Sequence, residues 1–377
     1  MTVQTEMTRT EIIQMAEELA AEVRARAAQA DADGELPAED VAALAKKRYP
    51  GLAVPESYGG RGASLKTCVE AQLALAQGSA STALVAAMTL HIVGHEVEVE
   101  SWAPRARETI FLDVARGALL NSAASEPRLG SPSRGGLPDT YAERSGDMLV
   151  VNGHKNWVTG GEHLRHLLVR LRLGDEAVVV WLPGDTPGLR WEKIWGDGLS
   201  LRASDSHDLY LADVRVPAAN IIQRGKSPAN VWFPMLMAAT YLGSALAARG
   251  DIVRYALDRV PTALGKPIAT LPGIQRQIGD IDISLQAAQT FLVATAAAWR
   301  GDEDERADFL VRAASAKHVA VETALNVTDK ALRVAGAAGI DKGLALERYF
   351  RDVRGGLMHP PSGDAALELV GRRALSL

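Results

Sequence analysis

The chain has 377 residues, enough for two or three domains around a sizeable core. Its 41 lysines and arginines stand against 46 aspartates and glutamates, a net charge of −5, so there is no basic footprint for nucleic acid. One cysteine, Cys68, excludes an intrachain disulfide framework and fits a reducing compartment. The polar, acidic N-terminus carries no apolar signal core, and no apolar run reads as a membrane span. A cytoplasmic protein without membrane association is the expectation. No zinc spacing, HExxH pair or Walker-type phosphate loop occurs.

The first elements read as helices. Thr8-x-x-Glu11 has the form of a capping box, and Ile12, Ala16, Leu19, Val23 and Ala27 then recur at helical spacing. A second helix follows Pro37 through Val41, Leu44 and Ala45. Further helices are predicted near Leu65–Gln77, Ser81–Val93 and Arg105–Ala115. Residues 1–117 are therefore expected to form an N-terminal helical domain.

The character changes after Ala118. Met148–Val151, Leu167–Leu171, Ala177–Trp181 and Leu209–Leu211 are short apolar runs, with turns expected at Asn152-Gly153, Gly174-Asp175 and Gly184-Asp185. Residues 118–226 are expected to form a small antiparallel β-barrel or sandwich. From about Asn230 helical stripes return through Met235, Ala238, Leu242 and Leu246, through Ile278, Ile281, Leu285 and Leu292, and through Ala313–Val334. Residues 227–377 are expected to close the chain as a four-helix-type bundle. The fold class is α+β and mostly α.

Near the end, Leu346 to Asp364 reads as a basic helix that breaks at Gly355-Gly356 and again at Pro360-Pro361. The titratable His359 sits at that break. Earlier, Ser125 opens a run that ends in Gly130-Ser131, and Trp157 and Thr159 follow Asn152-Gly153. Hydroxyls beside glycines, with a tryptophan, suit a planar heteroaromatic ring that needs stacking on a face and donors at its edge. Among the histidines, the pair His91 and His95 is expected in the core or lining a substrate pocket. His163 and His166 are expected to face solvent.

Taken together these pieces resemble the acyl-CoA dehydrogenase superfamily over nearly the whole chain. Val54-Pro-Glu-Ser-Tyr-Gly-Gly60 is similar to its "PExYGG" element. Ser125-Glu-Pro with Gly130-Ser131 is similar to "TEPxxGS", and Asn152 to Thr159 to "NGxKxWIT". Asp213 to Pro217 matches "DVxVP", Leu264 to Ile268 with Gln275 and Asp280 resembles "FGKPI…Q…AD", and Arg351-Asp352 matches the late "RD", where the two are expected as a buried pair fixing the helix. The resemblance implies a flavin, FAD or else FMN. It implies that Ser125 and Thr159 hydrogen-bond its ring system, Trp157 flanks it, and Ser131 lies between flavin and substrate. Gln275 and Arg333 would reach the cofactor's diphosphate, in part across to a neighbouring subunit, so a homotetramer or homodimer is implied. The family's arginine before "FG" is displaced, with Pro261 in its place. Arg333 stands where the late glycine motif has glutamine, and Ala337 replaces one of its glycines.

The resemblance also marks what is missing. The family's catalytic glutamate lies eight residues after the aspartate of "RD", and that position is Pro360. The alternative position falls at about Phe233, and no acid occurs from Val214 to Gly250. Dehydrogenation of an acyl thioester needs a base for the α-proton while hydride passes to flavin. His359 is the nearest replacement, with water as the alternative. On motif order the first expectation is α,β-dehydrogenation of an acyl thioester, with an electron-transfer flavoprotein as redox partner. The alternative is a two-component monooxygenase fed by a flavin reductase, where a histidine near this point supports the oxygen chemistry. A third is a non-catalytic flavin-binding homologue.

Overall fold

The structure, a computed structural model, describes residues 7–129, 136–225 and 227–377. The chain opens with helices α1 (Arg9–Arg24), α2 (Ala27–Asp33), α3 (Ala38–Lys46), α4 (Leu65–Leu75), α5 (Ala80–Val99) and α6 (Pro104–Ala115). Strands follow: β1 (Leu119–Ala123), β2 (Tyr141–Ser145), β3 (Met148–Val158), β4 (Leu164–Leu173), β5 (Glu176–Pro183), β6 (Leu189–Glu192), β7 (His207–Pro217) and β8 (Ile221–Arg224). Helices α7 (Trp232–Asp258), α8 (Pro272–Ala298), α9 (Arg306–Ala335), α10 (Leu346–Asp352), α11 (Gly355–Met358) and α12 (Gly363–Ala374) close the chain. Helices, sheet and helices thus succeed one another as the periodicities predict.

Local chemistry sets the helix starts. The Thr8–Glu11 box forms: Glu11 N–H donates to Thr8 Oγ1 at 3.3 Å and Thr8 N–H to Glu11 Oε2 at 2.7 Å. Ser79 caps α5 by accepting from Thr82 N–H at 3.2 Å. Helices α5 and α7 are buried over most of their length, which makes them the centre of the helical core. They meet at Gly94, where a Cβ would lie 2.4 Å from the Trp232 ring. Glycine therefore lets the α7 indole rest on the α5 backbone. Glu98 then accepts from Trp232 Nε1 at 2.6 Å, Trp299 Nε1 at 2.7 Å and Arg306 Nη1 at 3.1 Å, and so ties α5, α7, α8 and α9 together.

The sheet runs in the order β6-β7-β3-β2-β4-β5-β8, with β1 also on β4. It is not purely antiparallel: β1 and β2 both run parallel to β4. Its buried face follows the strand period of two, through Leu149 and Val151, Leu167, Val169 and Leu171, and Val178, Val180 and Leu182. Asn152-Gly153 is not a turn. It is an irregularity inside β3, where the register with β7 shifts between Val151 and Gly153. A Cβ at Gly153 would lie 2.4 Å from Thr140 Oγ1.

Three further expectations are corrected. Gly355-Gly356 does not break a helix; the break falls just before, and the glycine pair opens α11. Their role is close approach. A Cβ on Gly355 would lie 2.7 Å from Leu201 Cδ1, and one on Gly356 2.9 Å from Tyr241 Cδ2. Arg351 and Asp352 do not pair with each other, because neighbours on a helix point about 100° apart. Arg351 binds Asp31 at 2.6 Å and Glu347 at 2.7 Å, while Asp352 Oδ1 accepts from Leu201 N–H at 2.8 Å. The "RD" pair thus moors α10 to both α2 and the loop before β7. Finally, α8 is by length and composition apolar enough to cross a membrane, contrary to expectation. Here it packs on α7 and α9 and leaves Ile283 71% and Phe291 38% exposed.

Candidate active site

The predicted flavin-edge residues come together. Glu126, next to Ser125, is buried against Lys155 of β3 at 2.6 Å, and also accepts from Asp139 N–H at 2.6 Å and Thr140 N–H at 3.0 Å. This buried pair is what draws the "SEP" and "NGxKxW" segments into contact. Asn156 N–H then donates to Ser125 O at 3.1 Å. The next residue, Trp157, has φ of 57°, an uncommon conformation for a bulky side chain, at a register shift between Lys155 and Val158. The irregularity turns the indole outward, 58% exposed. Thr159 is buried, and its hydroxyl lies 2.8 Å from Ser206 Oγ, itself 2.8 Å from Ser204 Oγ. An open aromatic face beside a short hydroxyl chain fits one edge of a flavin ring, which needs a stacking plane and peripheral hydrogen bonds.

The other predicted cofactor residues lie elsewhere. Ser131 falls outside the described residues. Gln275 is exposed on α8, donating to Ala269 O at 3.0 Å. Arg333 is exposed on α9, paired with Asp329 at 2.7 Å. The ion pair between Asp280 and Lys330 brings that end of α8 beside that end of α9, so Gln275 and Arg333 share one end of the helix pair. Among the described residues neither touches Ser125, Trp157 or Thr159.

The wall around His359 is built by three helices. The two positions where a catalytic carboxylate is expected converge: the Phe233 ring stands 6.0 Å from His359, edge to face, and Pro360 follows it. His91 of α5 packs edge-on to the same Phe233 ring at 4.8 Å. The Trp232–Gly94 contact positions this group, since Gly94 lies three residues after His91 and Trp232 just before Phe233. The wall therefore carries two imidazoles and an aromatic ring where a glutamate is expected.

Hydrogen bonds fix how both imidazoles are protonated. Asn230 Oδ1 accepts from Phe233 N–H at 3.0 Å, so its Nδ2 is the donor to His91 Nδ1 at 3.1 Å and His91 O at 3.2 Å. His91 Nδ1 is an acceptor, and the neutral ring carries its proton on Nε2. His359 Nδ1 lies 2.5 Å from the hydroxyl of fully buried Tyr241. Burial holds the Tyr241 phenol well above its ordinary range, so it keeps its proton. If that hydroxyl accepted instead of donating, its own proton would be buried with no acceptor among the described residues, a cost of about 1–3 kcal/mol. Tyr241 therefore donates, and His359 also presents Nε2–H. Burial first, then Lys317, pushes His359 down to about 4, and burial pushes His91 down to about 3. His359 keeps some solvent access in this chain, and its depression follows from the side chains packed against it. Both rings are neutral at pH 7.

Sequence reasoning missed Tyr241, Asn230 and Lys317. Lys317 left a signal: it is a lysine in the apolar stripe of α9, between Ala313 and Ala320. His91 is buried as expected, and half-buried His95 meets Ser227 Oγ at 3.1 Å. His166, expected in solvent, is buried, accepting from Trp181 Nε1 at 3.1 Å. His163 borders a separate cavity of about 560 Å³ between the first helices and the sheet, away from the His359 wall.

Family signatures cover the three segments. Those described as the N-terminal, middle and C-terminal domains of acyl-CoA dehydrogenase match residues 5–105, 121–214 and 235–360. The putative acyl-CoA dehydrogenase YdbM of Bacillus subtilis is 35% identical over 363 residues, 94% of each chain. The chain belongs to the acyl-CoA dehydrogenase family. It is an atypical member without the family's glutamate, and as such a flavoprotein oxidoreductase. Butyryl-CoA dehydrogenase from Megasphaera elsdenii superimposes with a TM-score of 0.86 at 23% identity, over 99% of this chain and 100% of that one. TdsC from Paenibacillus sp. A11-2, in complex with FMN and indole, gives 0.85 at 21% identity over 97% of each chain; the same protein is described as dibenzothiophene monooxygenase. The fold is thus common to dehydrogenases and to a monooxygenase. The cofactor is a flavin, FAD or FMN; the Paenibacillus protein holds FMN.

Proposed function

We propose that this protein is the oxygenase component of a two-component flavin system, taking reduced flavin from a separate reductase and oxidising a small substrate with O2. The observation that carries this reading is the state of His359. A base for an α-proton needs a free lone pair and an affinity for the proton. The Nδ1 lone pair of His359 is engaged by Tyr241, Nε2 carries a proton, and burial has made the ring a weak base. The wall offers N–H donors instead. His359 and His91 hold hydrogen bonds out to a polar acceptor, while Phe233 keeps water from the space between them. Bound reduced flavin supplies the electrons for oxygen activation. Ser125, Trp157 and Thr159 orient its ring edge. The test is to reduce the flavin-loaded protein without oxygen and mix it rapidly with O2. An absorbance transient should outlive the reoxidation of free reduced flavin, and His359→Ala should abolish it. Reoxidation as fast as that of free flavin sinks the proposal.

The 35% identity to a putative acyl-CoA dehydrogenase supports a second reading, α,β-dehydrogenation of an acyl thioester with water or a rearranged His359 as base and electron-transfer flavoprotein as acceptor. Anaerobic addition of acyl-CoAs of graded chain length would then bleach the flavin; lasting yellow colour with every one counts against it. If His359→Ala changes no measured turnover, a non-catalytic flavin-binding role gains. For assembly we propose a homotetramer or homodimer. The outward apolar face of α8 supports it, and Gln275 and Arg333 would meet a neighbouring subunit's cofactor.

A further inference from the structure

Lys317 lies on the buried face of α9, and its ammonium meets no carboxylate among the described residues. Its three protons go to backbone carbonyls: Gly356 O at 2.8 Å, His359 O at 2.7 Å and Pro361 O at 2.8 Å. A buried charge without a counter-ion is costly, and it persists only when its donors are fully used. These carbonyls come from α11 and the turn after it, the end of a helix where orphan acceptors and partial negative charge favour a cation. Burial still pushes the ammonium down to about 8. Nothing in the motif set accounts for this lysine, and a methionine or leucine would fill an apolar position at lower cost.

We propose that Lys317 is a positioning residue for His359: it folds segment 356–361 around its ammonium and so fixes the imidazole against Tyr241 and Phe233. The clamp is complete on the backbone side, since the His359 carbonyl is held by Lys317 and its N–H reaches Gly355 O at 3.3 Å. Among the described residues the side chain has one hydrogen-bonding anchor, Tyr241. The groups facing the ring are Tyr241 and Phe233 from α7, His91 from α5 and Lys317 from α9. Lys317 is the charged one at neutral pH, and its positive charge opposes protonation of the ring. The inference rests on reading His359 as a neutral N–H donor.

The experiment follows the ring and not the reaction. Flavin-loaded protein labelled at histidine is titrated by NMR, with His359→Gln assigning the resonance. In the unsubstituted chain His359 should remain a single Nε2–H tautomer to below pH 5. In Lys317→Met its midpoint should rise by about one pH unit and the single-tautomer signature should be lost. Lys317→Arg, which keeps charge and donors, should stay closer to the original. A Lys317→Met protein with unchanged midpoint and tautomer overturns the proposal. If that variant does not fold, reductive methylation of the unsubstituted holoprotein decides. Lys317 should be modified more slowly than the surface lysines Lys266 and Lys342, and His359 resonances should respond as pH passes about 8. Methylation at the surface rate, or an unresponsive His359, overturns it equally. Failure of the oxygen or acyl-CoA experiments leaves these readouts untouched, so the two failures are distinguishable.

Discussion

At the scale of the residue, the Tyr241 hydroxyl decides what His359 can offer. Removing it frees Nδ1 without opening a large cavity. Tyr241→Phe should cost about 1 kcal/mol of stability, the net worth of one neutral hydrogen bond. It should also leave His359 as a mixture of tautomers, visible in its ring nitrogen shifts, and lower turnover by roughly tenfold, the equivalent of 1.4 kcal/mol of transition-state stabilisation. Unchanged tautomer and rate would mean that Tyr241 does not hold the ring. The same residue shows how far the sequence could be read. His359 stands out as a titratable side chain at a chain break. Tyr241 does not, because a tyrosine within an apolar helical stripe looks like packing. Its hydroxyl finds His359 across a sequence distance of 118 residues.

At the scale of the element, the short helix α11 is held by its glycines. Gly356→Ala would place a Cβ 2.9 Å from both Tyr241 Cδ2 and Val321 Cγ2, with little room for either to give. It should destabilise the protein by about 1–3 kcal/mol through overpacking and disturb the His359 wall. Gly371→Ala in α12 is the control. A Cβ there meets nothing within 4 Å, so helix propensity alone operates and stability should rise by up to about 1 kcal/mol. Urea unfolding of the two variants checks both signs. The sequence marked Gly355-Gly356 as a break because glycine usually is one. In α11 the missing side chain is needed for approach to α7 and α9, and that can be known only when those helices are in place. The helix starts were legible for the opposite reason: a cap such as Thr8–Glu11 is complete within four residues.

At the scale of the whole molecule, burial of imidazoles makes stability depend on pH. His91, His95, His166 and His359 are held, by burial first in each case, at about 3, 4, 4 and 4 against an ordinary 6.5. The unfolded chain binds protons at these sites that the native state refuses. Their contribution is therefore complete above about pH 6.5 and is lost as pH falls from 6.5 towards 4. Each ring can contribute a slope of up to about 1.4 kcal/mol per pH unit within that window. The urea midpoint should fall markedly between pH 7.5 and pH 5; a flat profile would contradict this account. Assembly is tested at the same scale. Ile283→Asp with Phe291→Asp places charge on the exposed face of α8. The pair should shift the protein to smaller oligomers by light scattering and lower its retained flavin, while an unchanged mass would count against α8 as the interface.

The sequence by itself determined the order of helical, strand and helical segments, because hydrophobic period and caps are local. It also determined the motifs expected at a flavin edge, and the absence of a carboxylate at Phe233 and Pro360, because those are statements about residue identity. Only the tertiary structure decided that the two empty positions come together beside His359, that Glu126 and Lys155 pull Ser125 and Trp157 together, and that both imidazoles are held as donors. Those facts depend on which buried group finds which partner across distant segments. A hydrogen bond that sets a tautomer leaves no period or motif in the chain.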